Sequence, residues 1–471
     1  MAVDVGGAAP PAGLWQTVRA SLSGSHHTNY TEAPIGRAIV LLAIPMVLEL
    51  ALESVFAVVD VFFVSRLGSD AVATVGLTES MLTIMYAAAA GLSVGAMATV
   101  SRRIGERDFE GASKAAVQAI WLGVIISVPV GIVAGWFAPN LLAVMGAGPG
   151  VLANASFTRI VLGFNGVILM LFLINAVFRG AGDAAVAMRV LWIANVINIC
   201  LDPCLIFGLG PFPRLGVTGA AVATTTGRSV GLLLQLFLLT RGDGRVAIRR
   251  RHVRVDPVVM LRMVRLSGSA VLQSLIATTS WVGLVRIMAS FGSAALAGHT
   301  IAIRIVIFAL LPAFGLANAS ATLVGQNLGA GKPDRAEAVV WRACRYNFVF
   351  LGAVGLLFVA LAGPLVGVFT RDPAVLPIAT RGLRIISIGF FFYAYGFVLT
   401  QSFNGAGDTL TPTVINLFCF WLGEIPIAYL LAGPARLGPS GVFSAVPIAF
   451  SVMAVASAIM FRRGRWKFKR I

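Results

Sequence analysis

Six acids sit inside stretches of the sequence that are otherwise apolar: Glu49, Glu53, Asp60, Glu79, Asp202 and Glu424. An ionised side chain in hydrocarbon costs at least ~2.5–3.5 kcal/mol even on the mildest scale, so acids in such places are functional candidates. Their oxygens suit a bound proton or a small hard cation. At 100° per residue, Glu53 and Asp60 fall about 40° and about 20° round a helix from Glu49, so the three share one narrow stripe that must face a polar interior. Asp202 stands four residues after Asn198 and directly before Pro203, which has no N–H to give the carbonyl of Ile199. A carboxylate, an amide and a freed carbonyl thus gather within one turn. Glu49 and Glu79 are placed nearer the membrane surfaces, and Glu424, two residues before Pro426, reads as structural.

These acids need helices that cross a membrane. The chain has 471 residues, 58% hydrophobic and 12% charged, against about one quarter charged in soluble domains. A hydrocarbon layer about 30 Å thick takes ~20 residues per helical crossing. The apolar runs give twelve expected spans: 37–64, 71–101, 115–138, 153–178, 186–210 and 217–240, then 260–290, 295–327, 338–363, 377–402, 410–433 and 438–461. The fold class expected is an all-α polytopic membrane protein with two six-helix lobes. It divides into a polar tail 1–35, an N-lobe 36–241, a basic linker 242–258, a C-lobe 259–462 and a basic tail 463–471. No apolar stretch follows a basic start in the first 35 residues, so no cleavable leader is expected.

The net charge of +17 would suggest nucleic acid in a soluble protein, but here its placement matters more. Lys and Arg crowd the tails, the loops 102–114 and 179–189, and the segments 241–265 and 332–345. The opposite loops hold only Arg66, Arg214, Arg371, Arg381, Arg384 and Arg436, while Arg159, Arg228, Arg286 and Arg304 fall within helices. The positive-inside rule then puts both termini in the cytoplasm of a plasma (inner) membrane protein. Arg286 and Arg304 read as counter-charges or as snorkelling side chains. Cys200, Cys204, Cys344 and Cys419 read as small hydrophobes, with no histidine beside them to suggest a metal.

The halves repeat. Gly68-Ser69 recurs as Gly292-Ser293 and Gly105 as Gly329 at an offset of 224. Phe178-Arg-Gly-Ala-Gly-Asp183 recurs as Phe403-Asn-Gly-Ala-Gly-Asp408 at 225, and Leu215-Gly216 as Leu437-Gly438 at 222. The Gly-Ala-Gly-Asp elements serve as helix stops and caps. An even number of helices per unit sends both halves through the membrane in the same sense, about an axis along its normal. This is the parallel-repeat arrangement, with substrate held between halves that rock. Gly325-Gln-Asn-Leu-Gly-Ala-Gly-Lys332 departs from the phosphate-loop pattern at Gln326 and Pro333, so no nucleotide site follows.

Together, Pro45, Val59-Asp60, Arg66-Leu67-Gly68, Arg179-Gly-Ala-Gly-Asp183, Asn198 with Leu201-Asp202-Pro203, Gly216-Val-Thr-Gly-Ala-Ala221 and Val324 to Lys332 resemble the MATE (multidrug and toxic compound extrusion) antiporters. The resemblance covers roughly residues 36–462 and is nearest the bacterial DNA-damage-inducible branch. It implies export of organic, often cationic, amphipathic compounds in exchange for H+ or Na+. It also implies ion coupling in the N-lobe at Asp60 and Asp202, with Asn198 and Glu53 beside them. Ion binding there is expected to alter N-lobe helix packing and so the affinity of the central cavity. Other branches carry an acid in the seventh helix where this chain has Gln273. Candidate cavity residues are Glu53, Asn175, Gln273 and Trp281, with Phe56 and Trp192 as further aromatic candidates. No cofactor is expected beyond the coupling ion; the partners are drug-like small molecules and the lipid bilayer, with no nucleic acid, and the chain is read as a monomer. The nearest rival is a flippase for lipids or lipid-linked oligosaccharides, whose cavity should be more cationic to grip a pyrophosphate. A membrane enzyme would need clustered metal-ligating acids or a nucleophile triad, which the sequence lacks.

Overall fold

The computed structural model describes residues 14–24, 28–242, 244–433 and 435–469. The expected tails and linker lie partly outside these. Among the described residues ten helices are long and apolar enough to cross a bilayer, and two bent helix pairs bring the spans to twelve. We number them α1 (Ile35–Ser65), α2 (Ser69–Gly105), α3 (Phe109–Trp136), α4 (Ala155–Gly163 and Asn165–Ala181), α5 (Ala184–Phe207) and α6 (Val217–Arg241) in the N-lobe. The C-lobe holds α7 (Pro257–Ala289), α8 (Ser293–Gly329), α9 (Pro333–Gly367), α10 (Leu376–Ile388 and Phe390–Gly405), α11 (Leu410–Ala432) and α12 (Pro439–Arg462). There is no strand among the described residues. Every expected span is found. Short helices Ala138–Val144 and Pro149–Ala153 fill the α3–α4 connection, and Leu14–Ser23 makes a helix of part of the N-terminal tail.

The duplicated punctuation carries duplicated geometry. Gly68 and Gly292, at the starts of α2 and α8, have φ of 106° and 93°, a region open to glycine but strained for other residues. α4 bends by 40° at Phe164 and α10 by 56° at Gly389, again one repeat apart. At the second bend a Cβ on Gly389 would sit 2.7 Å from Pro447 of α12, so only the bare backbone fits.

The lobes meet through α1, α2, α7 and α8. Gly91 of α2 lies against the backbone of Val271 on α7, and Gly315 of α8 against that of Val47 on α1, each too close for a side chain. The second contact is the first shifted by one repeat. Small residues let backbones approach where no hydrophobic force acts between helices in lipid. These approaches fall in the halves of the helices nearest the two termini, so the lobes are joined at that end.

The same end is tied by the tails. Trp466 is fully buried, stacks on Phe461 at 4.4 Å and donates its Nε1–H to the Phe461 carbonyl at 2.9 Å. Lys467 pairs with Glu337 at 2.6 Å and Asp334 at 3.0 Å, and Lys469 with Asp408 at 3.2 Å. The Lys469 carbonyl accepts from Arg102 of α2 at 2.9 Å, which carries the C-terminal segment across to the N-lobe. The basic linker docks on α3: Glu110 meets Arg251 at 2.6 Å and His252 at 2.7 Å, and Trp121 donates to the Val253 carbonyl at 3.0 Å.

Candidate functional site

The stripe on α1 faces the interior of the N-lobe, and its acids differ in what they meet. Glu49 is buried, accepts from Asn175 Nδ2 at 3.2 Å and lies 3.7 Å from Arg179; Gln235 of α6 in turn donates to Asn175 at 2.6 Å. Glu49 therefore belongs to the buried network rather than to a membrane surface. Arg179 was expected in a loop, but the second part of α4 runs through Ala181 and carries its guanidinium inward. Asn175, expected in the substrate cavity, is held between Glu49 and Gln235 inside the lobe.

One turn further along, Glu53 accepts from Arg228 of α6 at 3.2 Å and from Asn195 of α5 at 3.3 Å. Arg228 also reaches Tyr86 of α2 at 3.5 Å and lies over the Phe56 ring at 5.7 Å. An intramembrane arginine is a signal in itself, and its counter-charge proves to be Glu53. Trp192 is partly exposed and donates to the Leu48 carbonyl at 3.4 Å.

Asp60 and Asp202 form no ion pair among the described residues. Asp202 is fully buried and neither of its carboxylate oxygens has a hydrogen-bond donor; a buried oxygen of Asp60 is likewise unpartnered. The two carboxylates lie within electrostatic reach of each other, and Asp60 also within reach of Glu79 and Arg228. Asn198, one turn before Asp202, gives its amide hydrogen to Thr224 of α6 at 3.0 Å and leaves its carbonyl oxygen buried without a donor. α5 and α6 can approach so closely because Gly227 lies against the Ala194 carbonyl, where a Cβ would come within 2.6 Å. Thus two acids of the stripe have arginine partners, whereas Asp60 joins Asp202 and Asn198 in a set of unsatisfied oxygens. Unpaired buried charge is expensive. This set is suited to taking up a proton or a small hard cation.

Gln273 and Trp281 are far along the chain from these residues and line a C-lobe cavity of about 490 Å³, bounded by α7, α8, α10, α11 and α12. Glu424 lines it too. Arg286 and Arg304 are exposed, and Arg304 lies within electrostatic reach of Glu79 on the other lobe. No group of three or more His, Cys, Asp or Glu that could hold a metal ion occurs among the described residues.

Comparison with known proteins agrees with this architecture. "Probable multidrug resistance protein NorM" of Thermotoga maritima is 25% identical over 442 residues, 93% of this chain and 94% of that protein. An FAD transporter of Shewanella oneidensis is 26% identical over 435 residues, 92% of this chain and 95% of its own. A solved structure described as the outward-facing conformation of a multidrug resistance MATE family transporter superposes with a TM-score of 0.87 at 27% identity, covering 94% of this chain and 98% of that one. The MatE family model matches twice, over residues 45–204 and 270–430, once in each lobe. With both halves matched and twelve spans in two lobes around these buried acids, the chain belongs to the MatE family of membrane transporters.

Proposed function

We infer that the protein is a secondary active multidrug exporter, moving organic, often cationic, amphipathic compounds out of the cell in exchange for H+ or Na+. The observation that carries this reading is the unpartnered carboxylate of Asp202, buried beside the oxygens of Asp60 and Asn198. A carboxylate in that position must be neutralised to be tolerated, and an ion delivered from one side of the membrane does so. Uptake of the ion removes the repulsion between Asp60 and Asp202 and lets α1 and α5 repack. Arg228 of α6 bonds Glu53 and Tyr86 of α2 and lies within electrostatic reach of Asp60, so it can hand the change on to α6 and α2.

The lobes, joined at the end that carries the termini, would then open there as they close at the other. On this reading the basic segments lie in the cytoplasm of the plasma membrane, and the joined end of the lobes is the cytoplasmic one. The names of the NorM and MATE relatives support drug-like cargo, and the protein is read as working as a monomer. A phosphate-bearing cargo, as for a lipid-linked oligosaccharide flippase, would meet the Glu424 carboxylate in the C-lobe cavity, which disfavours that reading. The test is export of a cationic dye from proteoliposomes under an imposed proton gradient and, separately, a sodium gradient. Transport driven by neither gradient would remove the proposal.

A further inference from the structure

Five of the six membrane acids lie in the first half, and the one in the C-lobe has a counterpart among them. Glu424 stands on the fifth helix of the second half, two residues before Pro426, as Asp202 stands on the fifth helix of the first, directly before Pro203. The offsets are 222 and 223. The residue of difference falls in a π-helical segment, Leu417–Glu424, within α11. Pro426 has no N–H for the preceding turn, which favours a wider turn there, and such segments recur at functional sites.

The surroundings of Glu424 differ from those of Asp202. Glu424 is 3% exposed and receives one hydrogen bond, from Ser280 Oγ at 2.9 Å. It is the one charged residue lining the 490 Å³ cavity among the described residues. Tyr393 Oη, Thr400 Oγ1 and Asn416 Oδ1, each on a residue more than nine-tenths buried, line the same cavity without partners. The rings of Trp281, Phe420 and Phe450 complete it, Phe450 lying 4.4 Å from Tyr393 and 5.0 Å from Phe420. Oxygens, π faces and a single anion all favour positive charge, and among the described residues no cationic side chain answers Glu424. The volume falls within the range of sites for drug-sized ligands and far exceeds a bare metal ion.

We propose that the C-lobe cavity is a binding site for an organic monocation, with Glu424 as its counter-charge and the aromatic rings as its walls. The proposal deepens the export reading and rests on it for the identity of the cargo, while binding itself needs no gradient. The two lobes then hold separate cations: the coupling ion near Asp202 and the cargo near Glu424.

The experiment is equilibrium binding of radiolabelled tetraphenylphosphonium to the purified full chain in detergent, with no ion gradient, competed by neutral triphenylphosphine oxide. The wild type should bind the cation saturably, and Glu424→Gln should weaken it by about tenfold or more while leaving the weak neutral competitor unchanged. Binding by Glu424→Gln within about twofold of wild type, or an equal loss for the neutral compound, overturns the proposal. Should Glu424→Gln not fold, Thr278→Cys with Glu424 intact serves instead. Bound tetraphenylphosphonium should protect that thiol from a methanethiosulfonate, read by peptide mass spectrometry, and equal labelling with and without the cation overturns the proposal. Binding without export from proteoliposomes would fail the export reading alone.

Discussion

Gly105 of α2 and Gly329 of α8 are reciprocal contacts. A Cβ on Gly105 would collide with the backbone of Gln326, and a Cβ on Gly329 with that of Arg102, the residue one repeat before Gln326. The helices cross where each offers the other a bare backbone, at the end where the lobes are joined.

Gly329→Leu should therefore disfavour the joined state specifically, by the ~1–3 kcal/mol typical of overpacking, while leaving each lobe folded. Ser267, buried on α7 against Gly95, reports the opening. In a Ser267→Cys background, Gly329→Leu should speed thiol labelling from the terminal side by about fivefold or more. An unchanged labelling rate would show that this crossing does not hold the end shut.

Asp60→Asn and Asp202→Asn should each abolish gradient-driven export while the protein elutes as a folded species in size-exclusion chromatography. Asparagine keeps the shape and cannot take up a proton or carry the charge that a cation needs. Undiminished export by either variant in proteoliposomes would exclude that residue from ion coupling.

Arg228→Met leaves Glu53 facing the lobe interior without its guanidinium, one-third exposed though that carboxylate is. The expected loss is about 1–3 kcal/mol of unfolding free energy, below the figure for fully buried pairs. Adding Glu53→Gln should recover more than half of it. A double variant no more stable than Arg228→Met would mean that Arg228 acts through Tyr86 and Phe56 instead.

The C-terminal staple is predicted to be insensitive to pH around neutrality. Hydrogen bonds to Glu337 and then Asp334 raise the Lys467 pKa above its ordinary value. The sign follows: a raised pKa contributes fully at pH below that of the unfolded lysine, about 10.4, and its contribution fades as pH rises through the folded value. Tryptic cleavage after Arg463 and Arg465 should therefore be slow and equal at mildly acidic and neutral pH, and faster in Lys467→Ala. A marked change in protection between those two conditions would place the control elsewhere.

Glycine positions and charge placement made much of the fold legible. Gly68 and Gly292, or Gly216 and Gly438, mark helix starts because backbone geometry at those points admits little else. The bends at Phe164 and Gly389 were not visible, because each depends on which helix lies across it, Pro447 of α12 in the second case. The candidate site was legible as a list of acids and not as a pattern of partners. Whether an acid on the stripe is answered depends on residues more than a hundred positions away, as with Glu49 and Arg179 or Glu53 and Arg228. Arg179 was misplaced for a simpler reason: the Gly-Ala-Gly-Asp stop acts at Gly182, one turn later than the charge suggests. Glu424 stands in that list too, but its proline reads as a structural feature in sequence, because the likeness to Asp202 before Pro203 is displaced by one residue, which the π-helical turn Leu417–Glu424 accounts for.

The lobe junction described above, in which Gly91 meets Val271 as Gly315 meets Val47, has the form of an isologous dimer interface within one chain. The protein is in effect a tethered homodimer whose two protomers have kept a common backbone and diverged in their side chains. Any substitution at one glycine of the junction therefore removes only half of a doubled seam. On the function proposed above, specialisation for ion or cargo falls to residues such as Asp202 and Glu424, which the seam does not use and which were free to change one copy at a time.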